Sequence, residues 1–88
     1  MSRGAGANIS LAARFAAKEA FGKALGTGLE GIALKDIFVV NLRNGQPEIR
    51  VSGTAEAALK KNGADIIHLS LTHETDNAVA MVVLESQS

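Results

Sequence analysis

The 88-residue sequence contains no cysteine, tyrosine or tryptophan, and its only aromatic residues are three phenylalanines. Without cysteine the chain has no disulfide, no thiolate zinc site and no thiol nucleophile. Three aromatic rings offer little surface on which the bases of a single-stranded nucleic acid could stack. The longest uninterrupted apolar run covers residues 78–84 and is too short to span a membrane. These absences predict a cytoplasmic protein that binds neither nucleic acid nor membrane.

The charged residues balance overall but are unevenly distributed. Nine basic and nine acidic residues cancel, yet residues 1–44 carry six basic and three acidic side chains, and residues 45–88 carry the reverse. A protein that binds a nucleic-acid duplex usually presents a broad basic face. A few cations in the first half of the chain favour a small anionic ligand instead. A chain this short also buries only about 63% of its surface on folding, so oligomerisation is expected to add burial.

The sequence pattern predicts one domain of the α+β class, with two helices and two antiparallel hairpins. Ser10 and Thr54 are expected to cap the helices, because a hydroxyl there accepts a free backbone N–H, and Gly26 and Gly63 are expected to end them. The predicted elements are a helix over 11–25, a loop over 28–33, a strand over 36–43, a turn at 44–45, a strand over 48–52, a helix over 55–62, a strand over 66–71, a polar turn over 72–77 and a largely buried strand over 78–85. Residues 1–10 are expected to be a flexible segment, residues 11–85 the domain and residues 86–88 a tail.

The densest polar cluster lies on the first predicted helix. At 100° per residue, Phe15, Glu19 and Lys23 share one face, and Arg14 and Lys18 flank it. The ordinary interpretation is that Glu19 and Lys23 form an i,i+4 ion pair on a solvated face. The functional interpretation is that Glu19 holds a hard cation such as Mg²⁺ while the ammonium groups hold phosphate oxygens. Spacing alone leaves both interpretations open.

A second polar cluster, residues 69–74 (LSLTHE), follows the third predicted strand. His73 and Glu74 could be ordinary turn residues, or the imidazole and the hydroxyls of Ser70 and Thr72 could contact a nucleotide. The pair His68 and His73 makes a poor zinc site. The glycines at 26, 28 and 31 follow a helix rather than precede one, so they do not indicate a phosphate-binding loop.

Together, two segments resemble the holo-[acyl-carrier-protein] synthase family, the short 4′-phosphopantetheinyl transferases. The first is residues 14–28 (RFAAKEAFGKALGTG), and the second is residues 69–74 followed by Ala78-Val79-Ala80. The Asp36-Ile37 strand, the Asn44-Gly45 turn and Ser52-Gly53 before a short helix also fit the family. The resemblance covers about residues 11–85 and implies the family's α+β fold.

The resemblance implies transfer of 4′-phosphopantetheine from coenzyme A to a serine of apo acyl carrier protein, with release of 3′,5′-ADP, in fatty acid or polyketide synthesis. It also implies a homotrimer with active sites between subunits. Glu19 becomes the Mg²⁺ ligand and Lys23 the contact to the pyrophosphate, and these two are the expected catalytic residues. The expected contacts to the nucleotide and its phosphates are Arg14, Lys18, Lys23, Thr72 and His73.

The chain differs from the family in the segment before the first helix. Family members open with a strand carrying a Gly-Thr-Asp-Ile-like segment, whose aspartate is the second Mg²⁺ ligand. Here Gly6-Ala7-Asn8-Ile9 weakly resembles that segment, with Asn8 at the acidic position. The alternative is therefore a truncated, non-catalytic relative that binds coenzyme A or 3′,5′-ADP, or that serves only as an oligomeric module. An RNA-binding α+β domain is disfavoured by the zero net charge and the few aromatic residues.

Overall fold

The computed structural model describes residues 9–73 and 77–87, which form two helices and two antiparallel hairpins. This arrangement confirms the predicted α+β class. The elements are α1 (Leu11–Leu25), a 3₁₀ turn (Leu34–Asp36), β1 (Ile37–Asn41), β2 (Pro47–Val51), α2 (Gly53–Lys61), β3 (Ile66–His73) and β4 (Ala78–Glu85). Glu74 and residues 1–8 of the predicted flexible segment over 1–10, which include Asn8, lie outside the described residues. No helix in the described ranges is long and apolar enough to cross a bilayer.

Helix α1 begins and ends where its caps predict. The Ser10 hydroxyl accepts a hydrogen bond from the backbone N–H of Ala13 at 3.1 Å. Gly26 adopts the left-handed conformation with φ 86°, and its N–H donates to the Lys23 carbonyl. Just beyond the helix the chain turns back, and the Gly28 N–H donates to the Gly22 carbonyl at 3.0 Å. A Cβ at Gly22 would lie 2.7 Å from the Gly28 carbonyl carbon, so this close return favours glycine.

The first hairpin pairs β1 with β2 in antiparallel register, from Ile37 opposite Val51 to Asn41 opposite Pro47. The predicted turn is confirmed, since Gly45 has φ 90° and the Leu42 N–H donates to the Gln46 carbonyl at 2.8 Å. β1 is shorter than predicted, because the 3₁₀ turn takes Asp36 and the strand already ends at Asn41, and β2 is shifted by one residue toward the turn. Pro47 begins β2, a position where its missing N–H costs the hairpin little.

The start of α2 corrects the predicted cap. The helix begins at Gly53, and Thr54 lies in its first turn rather than before it. The Thr54 backbone N–H and hydroxyl both donate to Asp36 Oδ2, at 2.7 and 2.6 Å, so Asp36 performs the capping role from outside the helix. The Thr54 hydroxyl also accepts from the Ala33 N–H at 2.8 Å. These two donated hydrogen bonds from Thr54 lower the pKa of Asp36 below its usual 3.8.

The second hairpin pairs β3 with β4, from Ile66 opposite Glu85 to His73 opposite Ala78. β3 extends two residues past its predicted end, so Thr72 and His73 belong to the strand and not to a turn. The prediction of a largely buried β4 was wrong. Its side chains alternate, and Val79, Met81 and Val83 are 52%, 65% and 52% exposed. One face of the hairpin packs on the core while the described residues leave the other face uncovered.

The core lies where both hairpins and α2 meet α1. Side chains from these elements are nearly or fully buried, led by Phe21 and Ile37. Around them pack half-buried residues on the inner face of the second hairpin, among them Leu69, Val82 and Leu84. Because α1 contributes only one side to this core, its other sides remain available for chemistry.

Candidate functional site

Side chains four residues apart lie along the same line of a helix, and three of the four such rows of α1 carry the core and the predicted site residues. The core row, Ala13, Ala17, Phe21 and Leu25, is entirely buried. The outer row, Leu11, Phe15, Glu19 and Lys23, is entirely exposed. The bracing row, Arg14, Lys18 and Gly22, borders the core row and contacts the loops beside the helix. The predicted site residues of α1 therefore fall on two of these rows.

Glu19 and Lys23 are brought together on the outer row, one turn apart. Among residues 9–73 and 77–87, neither side chain makes an ion pair or a hydrogen bond. The i,i+4 ion pair that their spacing permits is thus not formed. A carboxylate and an ammonium group without a partner inside the chain are available to an external ligand.

Arg14 and Lys18 have intramolecular partners. Arg14 Nη1 donates to the Val39 carbonyl at 2.7 Å, and its Nε donates to the Ile9 carbonyl at 3.2 Å. Lys18 Nζ donates to the Leu34 carbonyl at 3.2 Å. These bonds tie α1 to β1, to the 3₁₀ turn before β1, and to the residue that precedes the helix's own N-cap. The two predicted phosphate contacts therefore brace the fold as well.

The same two cations line a surface pocket of about 410 Å³ beside β1. We call it the basic pocket; its lining is Arg14, Lys18, Lys35 and residues 37–40. Three cationic side chains meet there, and no acidic residue is part of the lining. No sequence motif points to Lys35, because it lies 17 positions after Lys18 and only the fold brings the two together.

A second pocket, of about 480 Å³, lies between α2 and the loop after α1. Glu30 and Lys61 stand at its rim, and Leu25, Ile32 and Ala58 supply apolar surface. None of the predicted site residues lines it. The mixed charge at its rim makes it less suited to a polyanion than the basic pocket is.

Thr72 and His73 lie on the second hairpin, far from α1 in the sequence. Thr72 is exposed and pairs with Val79, and His73 ends β3 opposite Ala78. In the described part of the chain, no hydrogen bond joins Thr72 to the charged residues of α1. The structure thus brings the α1 residues together and leaves Thr72 and His73 on a separate element.

The donor set for Mg²⁺ is a single carboxylate. Across the described ranges, no group of three or more His, Cys, Asp or Glu side chains converges. Magnesium is commonly bound through one or two carboxylates together with substrate phosphates and water. Glu19, exposed and without a partner in the ranges 9–73 and 77–87, fits the role of one such ligand in a site that a phosphorylated substrate would help to build.

Comparison with known proteins identifies the class to which this helix and these hairpins belong. The model of the 4′-phosphopantetheinyl transferase superfamily matches residues 2–82, and the chain belongs to this superfamily. Within it, the chain is similar to holo-[acyl-carrier-protein] synthases. The enzyme of Treponema denticola is 60% identical over 85 residues, which is 97% of this chain and 69% of the relative. That of Trichlorobacter lovleyi is 53% identical over 77 residues, 86% of this chain and 61% of the relative.

A solved structure extends the likeness to the fold. The crystal structure of Helicobacter pylori holo-[acyl-carrier-protein] synthase in complex with coenzyme A matches with a TM-score of 0.73 and 28% identity. The match covers 84% of this chain and 63% of that one. The chain therefore spans between 61% and 69% of the length of these three relatives.

Proposed function

We propose that this chain transfers 4′-phosphopantetheine from coenzyme A to a serine of an apo acyl carrier protein and releases 3′,5′-ADP. The observation that carries the proposal is the outer row of α1, where the family motif presents Glu19 and Lys23 without a partner among the described residues. The similarity to enzymes named for this reaction supports it, as does the relative solved with coenzyme A.

The chemistry explains why these residue types are needed. The serine Oγ bonds to the phosphorus that carries the pantetheine arm, and the bond from that phosphorus to the 3′,5′-ADP oxygen breaks. The serine proton passes to water, and the leaving 5′-phosphate of 3′,5′-ADP takes up negative charge. Fixed positive charge beside the diphosphate stabilises the non-bridging and leaving oxygens as this charge develops. The Lys23 ammonium, exposed in the last turn of α1, supplies such a charge.

Glu19 is the proposed ligand for Mg²⁺. When bound, the ion supplies further charge neutralisation and holds donor and acceptor in line. We assign contacts with the nucleotide and its phosphates to Arg14, Lys18, Thr72 and His73. For Arg14 and Lys18, the basic pocket supports this assignment, since both line it while they brace the fold.

We further propose a homotrimer acting in the cytoplasm in fatty acid or polyketide synthesis. The exposed apolar side of β4, Val79, Met81 and Val83, supports association, because contiguous exposed apolar surface often marks an interface. Size-exclusion chromatography with light scattering tests this part. A mass three times that of the chain is expected, and a monomer at micromolar concentration would contradict it.

Incubation of apo acyl carrier protein with coenzyme A and Mg²⁺, followed by intact mass measurement, tests the activity. The carrier protein should gain the mass of phosphopantetheine, and 3′,5′-ADP should appear in equal amount. Omitting Mg²⁺ should prevent the gain. A carrier protein of unchanged mass at saturating coenzyme A would contradict the proposed transfer.

A second candidate is a non-catalytic protein that binds coenzyme A or 3′,5′-ADP. The observation that favours it is that Glu19 stands as a single carboxylate on the outer row of α1. Isothermal titration with 3′,5′-ADP separates the two candidates. Binding without any mass gain on the carrier protein would support the non-catalytic role, and both signals together would support the enzyme.

A further inference from the structure

Lys35 differs from the other two cations of the basic pocket in having no hydrogen-bonding partner. Arg14 and Lys18 each donate to a backbone carbonyl. In the part of the chain that the structure describes, Lys35 makes no hydrogen bond and no ion pair within 4 Å. Its side chain is exposed, so the ammonium group can turn toward a ligand without breaking an internal contact.

The acidic residue closest in sequence does not neutralise the pocket. Asp36 follows Lys35 directly, but its Oδ2 accepts two hydrogen bonds from Thr54 on α2. Lys35 contributes only a minor, longer-range attraction to Asp36. The basic pocket thus holds three cationic groups and no anionic lining. Such a concavity concentrates positive potential and attracts anions.

A hydrogen bond from Lys18 holds the backbone next to Lys35 in place. Its Nζ bond to the Leu34 carbonyl holds the residue immediately before Lys35 against α1. The 3₁₀ turn Leu34–Asp36 then presents Lys35 at the pocket. Positions 18 and 35 therefore act as a pair, in which Lys18 braces the turn and Lys35 makes no hydrogen bond or ion pair with the other described residues.

We propose that Lys35 binds a phosphate group of the phosphopantetheine donor in the basic pocket, where Arg14 and Lys18 hold the backbone and add to the positive potential. The proposal rests on the proposed function, because it takes the donor to be a phosphorylated nucleotide. A phosphate fits the pocket's charge, and ammonium–phosphate hydrogen bonds are among the stronger ones available to a surface side chain.

The binding of 3′,5′-ADP to the wild type, Lys35→Gln and Lys61→Gln tests the proposal. Lys61 is an exposed lysine on α2 that lines the other pocket, so its replacement removes the same charge elsewhere. We expect Lys35→Gln to raise the dissociation constant about threefold to tenfold, an effect that higher salt should reduce. Lys61→Gln should leave the constant unchanged, and the melting temperatures of both variants should match the wild type.

Two donors identify which phosphate is bound. If Lys35 binds the 3′-phosphate, Lys35→Gln should raise the KM for coenzyme A but not for 3′-dephospho-coenzyme A. If it binds the pyrophosphate, the KM should rise for both. Either result supports the proposal.

Three results would overturn it. If the wild type is active and Lys35→Gln changes neither the affinity for 3′,5′-ADP nor the KM for coenzyme A, Lys35 does not belong to the site and the proposed function stands. Unchanged nucleotide affinity with a raised KM for the carrier protein would assign the basic pocket to an acidic protein surface instead. A wild type that binds no nucleotide would overturn both proposals.

Discussion

The core row and the outer row of α1 are offset by two residues and have opposite environments. Ala13, Ala17, Phe21 and Leu25 are all buried, whereas Leu11, Phe15, Glu19 and Lys23 are all exposed. Each row contains two large apolar side chains, so hydrophobicity alone does not distinguish them. The difference lies in what covers each row, since the two hairpins and α2 pack against one side of α1 only.

Within this one helix, the core row stabilises the fold and the outer row is left available for chemistry. The alanines of the core row allow the hairpins to pack close to α1, and the Phe21 side chain is completely buried in the core. The outer row contributes little to the fold of the single chain, so its residues are available for ligands or for another subunit. Four predictions test this division, from the largest expected effect to the smallest.

The largest effect is expected from Phe21→Ala, with Phe15→Ala as the matched variant on the outer row. Removing the fully buried ring of Phe21 should lower the free energy of unfolding by about 3–5 kcal/mol. Phe15 is 51% exposed, and the same substitution there should cost about 0.5 kcal/mol. Urea denaturation measures both. Equal losses would show that another surface covers Phe15.

The second prediction concerns Glu19→Gln, which keeps the shape of the side chain and removes its charge. The rate of holo-carrier formation should fall about 10²–10³-fold, the range seen when a charge-stabilising group is lost from an active site. The urea midpoint should not change, because Glu19 has no partner among the described residues.

Glu30→Gln, an exposed carboxylate of the loop after α1, serves as the control and should keep wild-type activity. A loss of less than about threefold for Glu19→Gln would remove this carboxylate from the reaction.

The third prediction sharpens the contrast by testing the bracing row. Arg14→Gln removes two hydrogen bonds to backbone carbonyls, at 2.7 and 3.2 Å. Because Arg14 is half-buried, the loss should be about 1–3 kcal/mol of the free energy of unfolding. Lys18→Gln removes one longer bond near solvent and should cost about 0.5 kcal/mol. Thermal melts without ligand measure both, and an unchanged melt for Arg14→Gln would refute the bracing role.

The smallest effect is expected from Asp36, a carboxylate that the fold uses, in contrast to Glu19. Because hydrogen bonds from Thr54 lower the pKa of Asp36 below 3.8, the ionised form stabilises the folded chain above that pH. This contribution should be lost as the pH falls through the lowered pKa. Melting curves of the wild type and Asp36→Asn should therefore differ at neutral pH and converge in acid. Parallel curves at all pH values would contradict the assignment.

Local signals in the sequence predicted several elements correctly. Ser10 and Gly26 bound α1 where expected, Gly45 forms the expected turn, and β4 covers the expected residues. Each of these depends on the conformational preferences of a few neighbouring residues. The pairing of Glu19 with Lys23 on one face also follows from helix geometry alone.

Apart from strand boundaries that moved by one or two residues, the errors and omissions involve contacts between distant parts of the fold. Thr54 was expected to cap α2, but Asp36, 18 residues earlier, performs that role. Apolar composition predicted a buried β4, yet Met81 is 65% exposed, since composition does not show which face another element covers. Lys35 carried no motif, and its place in the basic pocket depends on how the loop after α1 returns to the helix.

By itself, the sequence determined where the helices and hairpins form and which charged side chains share a face of α1, because capping, turn geometry and helical periodicity act over a few residues. Only the tertiary structure decided which face of α1 is buried, that Arg14 reaches a carbonyl 25 residues away, and that Lys35 makes no hydrogen bond or ion pair with any other described residue. Those outcomes depend on contacts between distant segments, and such contacts exist only once the chain has folded.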